Sequence, residues 1–96
     1  MTNFFVLDPI SGRLYASSII RSESIPGYGI LHHAVIKETG DIIPVIIANG
    51  VQFTPCDWQN SNYPRGIKEI QNVRWMDNNG KDAVMLNGLP RTVFTD

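Results

Sequence analysis

The chain has 96 residues, of which 43% are hydrophobic and 18% charged, and its formal net charge is −1. This length and hydrophobic fraction predict one globular domain over residues 1–96 and exclude an intrinsically disordered chain. The near-neutral balance argues against nucleic acids and anionic membranes as partners, because both attract proteins with a large excess of positive charge.

Short strands are predicted along most of the chain. β-Branched residues, which suit the pleated geometry of a strand, are abundant, and Gly, Pro and Asn divide the sequence into short pieces. The predicted strands are Phe4–Leu7, Leu14–Ile20, Ile30–Lys37, Ile42–Ala48, Val51–Thr54, Ile70–Met76, Ala83–Leu86 and Arg91–Thr95.

Turn sequences separate consecutive strands. Asp8–Gly12, Glu38–Asp41, Asn49–Gly50 and Asp77–Gly80 carry the Pro, Gly, Asn and Asp residues that tight turns favour. Because such short connections join antiparallel neighbours, we predict a mainly β fold built from hairpins. A small antiparallel barrel or a compact sandwich would protect the strand edges in a chain of this length.

The segment before Trp75 has two interpretations. Apolar residues three positions apart predict at most one short helical turn near residues 64–72, whereas alternation of polar and apolar residues favours a strand from about residue 70. The helical spacing is that of Ile67, Ile70, Val73 and Met76, and the alternating set is Gln71, Val73 and Trp75.

The apolar run Ile42–Ile47 lacks alternation, so both faces of this strand are predicted to be covered. Pro44 has no N–H to donate, which predicts an edge or a bulge. A second copy of the chain would cover such a strand, and a homo-oligomer, most simply a dimer, is therefore expected. Alternatively, Ile30–Lys37 and the loop Tyr63–Ile67 cover it within one chain. The predicted interface residues are Ile42, Ile43, Val45, Ile46 and Ile47.

Catalytic candidates are few. His32 and His33 are adjacent in a predicted strand, so their side chains point to opposite faces and cannot chelate one ion or form one acid/base pair. Cys56 is the single cysteine and would need one of these histidines as its base. One cysteine and two divergent histidines do not supply a four-ligand zinc site, so neither a metal nor a cofactor is expected.

The strongest candidate for binding is the loop over residues 55–66. It is longer than an ordinary hairpin connection and contains Trp58, Tyr63 and Arg65, residue types enriched at binding hot spots. Arg74 and Trp75 would extend the same surface if their strand lies beside the loop. The alternative is structural, with Trp58 and Tyr63 capping the open end of a barrel.

Three functions follow from these features. The first is a non-enzymatic binding or interaction module that self-associates and presents the Trp58–Arg65 loop to a protein or small molecule. The second is a ligand-binding or enzymatic barrel that uses Cys56 with His32 or His33. The third is single-stranded nucleic acid binding, with Trp58, Tyr63 and Trp75 stacking on bases while Arg65, Lys68 and Arg74 follow the backbone.

The cytoplasm is the expected compartment. A lone cysteine cannot form an internal disulfide, and no positively charged segment precedes the short apolar run Phe4–Leu7, as a signal peptide would require. The apolar run Ile42–Ala48 is far shorter than the roughly 20 residues of a membrane helix.

Overall fold

The computed structural model describes residues 2–25, 29–56, 58, 73–86 and 89–91. Within these ranges the chain is mainly antiparallel β, as the sequence predicts, and β1 to β6 form one sheet in sequence order that curls into a half-barrel. A separate two-stranded sheet pairs β7 with β8. The predicted helical turn near residues 64–72 lies outside the described residues. The strands are β1 Thr2–Leu7, β2 Leu14–Ile25, β3 Gly29–Ile36, β4 Ile42–Ala48, β5 Val51–Pro55, β6 Trp75–Met76, β7 Val84–Leu86 and β8 Leu89–Arg91.

Turn chemistry explains the hairpins that connect these strands. Asn49 and Gly50 both have positive φ, 52° and 74°, which is the backbone conformation of the two-residue turn that matches strand twist. In the turn between β1 and β2, the Asp8 carboxylate accepts a hydrogen bond from the backbone N–H of Ile10 at 3.0 Å. The hairpins predicted at these two turns are confirmed. They can be predicted from the sequence because the required backbone geometry is local to a few residues.

Strand β2 continues five residues beyond its predicted end at Ile20. A bulge between Ile19 and Arg21 shifts the register, after which the polar segment Arg21–Ile25 pairs with the first half of β3. Nothing in the polar sequence of this segment indicates a strand. The extension arises from pairing with β3, since a partner strand supplies backbone hydrogen bonds that local propensity does not encode.

Strand β4 lies between β3 and β5, and its register with β3 runs through Pro44 without a shift, so the prediction of an edge or a bulge at Pro44 is wrong. Its ladder with β5 covers only the pairs from Ile46–Phe53 to Ala48–Val51. The same register continued by two residues would set Pro44 opposite Pro55, and neither proline has an N–H for that ladder. The proline therefore marks the end of one ladder within the sheet and not the edge of the sheet.

The core consists of two clusters on opposite faces of the sheet. Alternate residues of β3 and β4 contribute to different clusters, as expected for strands covered on both sides. The first cluster, called cluster A, contains Ile25, Leu31, Ile46, Ala48, Val51, Phe53 and Trp75. The second, called cluster B, contains Val6, Ala34, Ile36, Ile43, Val45, Trp58 and Met76.

A side chain connects the two sides of the half-barrel. The Gln52 amide in β5 donates to the backbone carbonyl of Leu7 in β1 at 2.9 Å and accepts from the Leu7 N–H at 3.2 Å. The amide thus makes the two bonds that a neighbouring strand would make at that residue. Leu7 is consequently satisfied at the edge of β1 without a backbone ladder between β1 and β5.

Candidate functional site

Trp58 is an interior residue of a single copy. Its side chain is only 2% exposed and belongs to cluster B. Its indole packs edge-on against the ring of Tyr15, with ring centroids 5.2 Å apart. This arrangement is that of the structural cap, one of the two alternatives that the sequence left open, because a binding anchor has to be displayed to its partner.

Of the other predicted binding residues, the structure describes Arg74 and Trp75, and Trp75 does not lie on the same face of the sheet as Trp58. Trp75 is 1% exposed and packs in cluster A, on the opposite face of the sheet. The Arg74 side chain is exposed and forms an ion pair with Asp82 at 2.7 Å. Tyr63 and Arg65, like Lys68, lie outside the described residues. Because base stacking needs an open ring face, the buried rings of Trp58 and Trp75 do not favour nucleic acid binding.

Among the residues that the structure describes, three buried side-chain atoms have no hydrogen-bond partner: Thr54 Oγ1, Trp58 Nε1 and Trp75 Nε1. An unpaired buried donor costs free energy, since it loses its bond to water and gains none in return. The two tryptophans therefore stabilise the domain through their apolar area. Sequence patterns gave no indication of these unpaired atoms, because they depend on which groups surround each ring.

The two histidines point to opposite faces of β3, as the alternation of a strand requires. His33 is buried, and its Nε2 lies 2.8 Å from Glu23 Oε2. His32 is half-buried, with Nδ1 2.7 Å from the hydroxyl oxygen of Ser22 and its ring packed against that of Phe4. Each histidine is thus engaged by a residue of the neighbouring strand β2.

His32 makes the stability of the fold depend on pH. Partial burial lowers the pKa of His32 below its usual value near 6.5, and the charge of His33 lowers this pKa further. The unfolded chain then binds a proton at a higher pH than the folded chain. We therefore expect the contribution of His32 to be complete above about pH 6.5 and to diminish as the pH falls below it.

The comparison that isolates this effect is between the wild type and His32→Asn in urea unfolding at pH 7 and pH 5. The wild type should lose more unfolding free energy between the two pH values than the variant does. Equal losses in both proteins would show that His32 has the same proton affinity in the folded and unfolded states.

Cys56 lies apart from the imidazoles proposed to activate it. It directly follows β5, whereas both histidines are in β3, and β4 separates these two strands. The Cys56 thiol donates to Asp82 Oδ1 at 3.6 Å, and the same carboxylate pairs with Arg74. The structure thus provides no observation that favours a Cys–His catalytic pair. In the part of the chain that is described, no three His, Cys, Asp or Glu side chains are grouped to hold a metal ion.

The residues predicted for a subunit interface are mostly covered within one copy. Ile43, Val45 and Ile46 are completely buried, and they divide between clusters A and B on the two faces of β4. Ile42 and Ile47 are half-buried. The prediction that both faces of this strand are covered is confirmed for Ile43, Val45 and Ile46, which one copy covers by itself. The loop Tyr63–Ile67, part of the predicted intramolecular cover, lies outside the described residues.

Among the described residues, the most exposed large apolar side chains lie instead on the hairpin of β1 and β2. The register pairs Phe5 with Ala16 and Leu7 with Leu14, so these four residues share one face of the sheet, here called the outer block. Phe5 and Leu14 are each 60% exposed. Their neighbours Val6 and Ser17, on the other face, are buried. A contiguous apolar patch on a surface is typical of interaction sites, whereas single exposed apolar residues are not.

Sequence reasoning missed the outer block, although a signal for it exists. Phe4–Leu7 is apolar at four consecutive positions, as Ile42–Ile47 is over a longer run. A strand of this kind has both faces apolar, and the sequence does not say which of them the rest of the chain covers. In β4 both faces are covered, whereas in β1 only the face of Val6 is buried.

Comparison of the chain with protein-family models, with curated proteins and with solved structures found no match in any of the three. In the ranges that the structure describes, there is no helix with the length and hydropathy of a membrane span.

Proposed function

We propose that this protein is a small non-enzymatic interaction module that self-associates through the outer block of β1 and β2. The observation that carries the proposal is the contiguous exposure of Phe5 and Leu14 beside Leu7 and Ala16. Burying such a surface against another protein contributes roughly 25 cal/mol for each Å² of apolar area removed from water. Trp58 and three of the predicted β4 interface residues, Ile43, Val45 and Ile46, are already packed inside one copy.

A second copy of the chain is the partner that this surface fits. Neither Thr2–Leu7 nor Leu14–Ile20 contains a charged residue, and the Lys37 ammonium, from just after β3, is bonded to the Asn3 amide oxygen at 3.4 Å. A two-fold axis brings each residue of an interface near its own equivalents, so charges there would repel one another. Edge strands that avoid association carry Lys, Pro or inward-pointing charges, and β1 has none of these.

We expect Phe5→Glu to convert the oligomer to a folded monomer. Phe5 is 60% exposed in one copy, so glutamate there is solvated in the monomer, whereas in the assembly it would be desolvated beside the same charge of the second copy. Molar mass by light scattering during size-exclusion chromatography measures the change, and the dissociation constant should rise by about tenfold or more.

Ile30→Glu is the matched control. Ile30 is also an exposed apolar residue, but it lies in β3 and pairs with Ser24 and Ile47, away from the outer block. The molar mass of this variant should equal that of the wild type. If Phe5→Glu left the assembly intact, or if both variants dissociated it equally, the outer block would not be the interface.

A further inference from the structure

The backbone of β1 has one side that is free to pair. The N–H and C=O groups of one residue in an antiparallel strand point to the same side, and those of the next residue point to the other. Leu7 directs both groups to Gln52 and therefore away from β2. By alternation, Phe5 and Asn3 also direct theirs away from β2. In agreement, the Phe4 carbonyl points to β2, where it accepts a hydrogen bond from the Ser17 hydroxyl at 2.8 Å.

Two residues of this edge remain unpaired. Gln52 occupies both backbone groups of Leu7, but among the described residues none bonds to the outward backbone groups of Asn3 or Phe5. The Phe5 side chain is 60% exposed, so a strand can approach the edge at this position. The available edge is thus a segment of three residues, Asn3–Phe5, that offers two donors and two acceptors.

We infer that two copies pair through this segment, β1 antiparallel to β1, around a two-fold axis that passes beside Phe4. In this register Asn3 of one copy pairs with Phe5 of the other, and the symmetric pair repeats the same bonds. Four N–H to C=O hydrogen bonds result, and they use all the unpaired outward groups of both strands. The inference rests on the proposed self-association and adds the strand and the register.

Gln52 selects this register over its neighbour. Moving the axis to Phe5 would pair Leu7 with Asn3 of the second copy, and the Leu7 groups are already bonded to the Gln52 amide. Around the Phe4 axis, Gln52 stays in place and the two outer blocks adjoin across the new ladder. The Phe4 side chains then form a direct cross-strand pair, an arrangement that stabilises antiparallel sheets when both residues are aromatic.

The test compares Asn3→Pro with Asn3→Ala. Both variants lose the contact between the Asn3 amide and Lys37 Nζ, but only proline removes the outward N–H. The ladder between β1 and β2 does not use that N–H, and proline is tolerated on an edge strand whose N–H faces outward. Because the two-fold axis repeats each contact, proline at this position removes two hydrogen bonds from the dimer. Sedimentation equilibrium should therefore show a dissociation constant about tenfold or more higher for Asn3→Pro than for Asn3→Ala. Equal constants would overturn the register.

A second measurement needs no variant. Amide hydrogen exchange of the wild type should show that protection of Asn3 and Phe5 increases with protein concentration, whereas Phe4 and Val6, which bond to β2, are protected at every concentration. If Phe5→Glu dissociates the assembly while Asn3 and Phe5 of the wild type stay unprotected, the outer blocks associate face to face and only the edge register fails. If the wild type is monomeric, both proposals fail.

Discussion

Replacing Trp58 by alanine is expected to lower the unfolding free energy by about 3–5 kcal/mol, the usual cost of truncating a buried tryptophan. The side chain is 2% exposed, packs with cluster B and contacts the ring of Tyr15. Domains of this size are commonly stable by only about 5–15 kcal/mol, so the variant would lose a large part of its stability. Urea unfolding followed by circular dichroism measures the change.

Trp58→Phe is the control for this result. Phenylalanine keeps an aromatic ring against Tyr15 and removes the Nε1–H that is buried without a partner. We expect it to cost less than half as much as alanine, because the lost area is partly offset by removal of an unpaired donor. A melting temperature for Trp58→Ala within about 3 °C of the wild type would mean that Trp58 is a binding residue and not part of the core.

Ile46→Glu is expected to leave the chain unfolded, whatever its oligomeric state. Ile46 is completely buried and is paired with Leu31 in β3 and with Phe53 in β5. A carboxylate there would lose its hydration inside cluster A, and the cost, several kcal/mol or more, is comparable with the stability of the whole domain. Circular dichroism and the heat capacity of a thermal scan report whether a cooperative transition survives.

The same substitution at Ile30 provides the comparison, because that side chain is exposed at the start of β3. Ile30→Glu should remain folded, with an unfolding free energy within about 1 kcal/mol of the wild type, as is usual for surface changes. A folded, monomeric Ile46→Glu protein derived from an oligomeric wild type would contradict the structure. It would return the interface to Ile42–Ile47, where the sequence first suggested it.

Local chemistry made much of the fold predictable. The turns at Asp8–Gly12 and Asn49–Gly50 require particular residues, and the alternation of β3 sends His32 and His33 to opposite faces. The edge position predicted for the strand of Pro44 is wrong for a physical reason. Its missing N–H constrains only one ladder over one residue pair, so β4 can still lie inside the sheet.

The candidate site was less predictable, because exposure is decided by distant parts of the chain. Trp58 and Trp75 have the composition of a binding surface, yet each fills a different cluster on either side of the sheet. Phe5 and Leu14 look like core residues in the sequence, and they are exposed because no described element packs on their face of β1 and β2. Residue type alone does not distinguish these two outcomes.

The most direct test of self-association is sedimentation equilibrium of the wild-type protein over about two decades of concentration. We expect the average mass to rise from the 10.7 kDa of one chain toward twice that value as the concentration increases. A mass of 10.7 kDa at every concentration would contradict it, and the outer block would then have no role in joining copies of this chain.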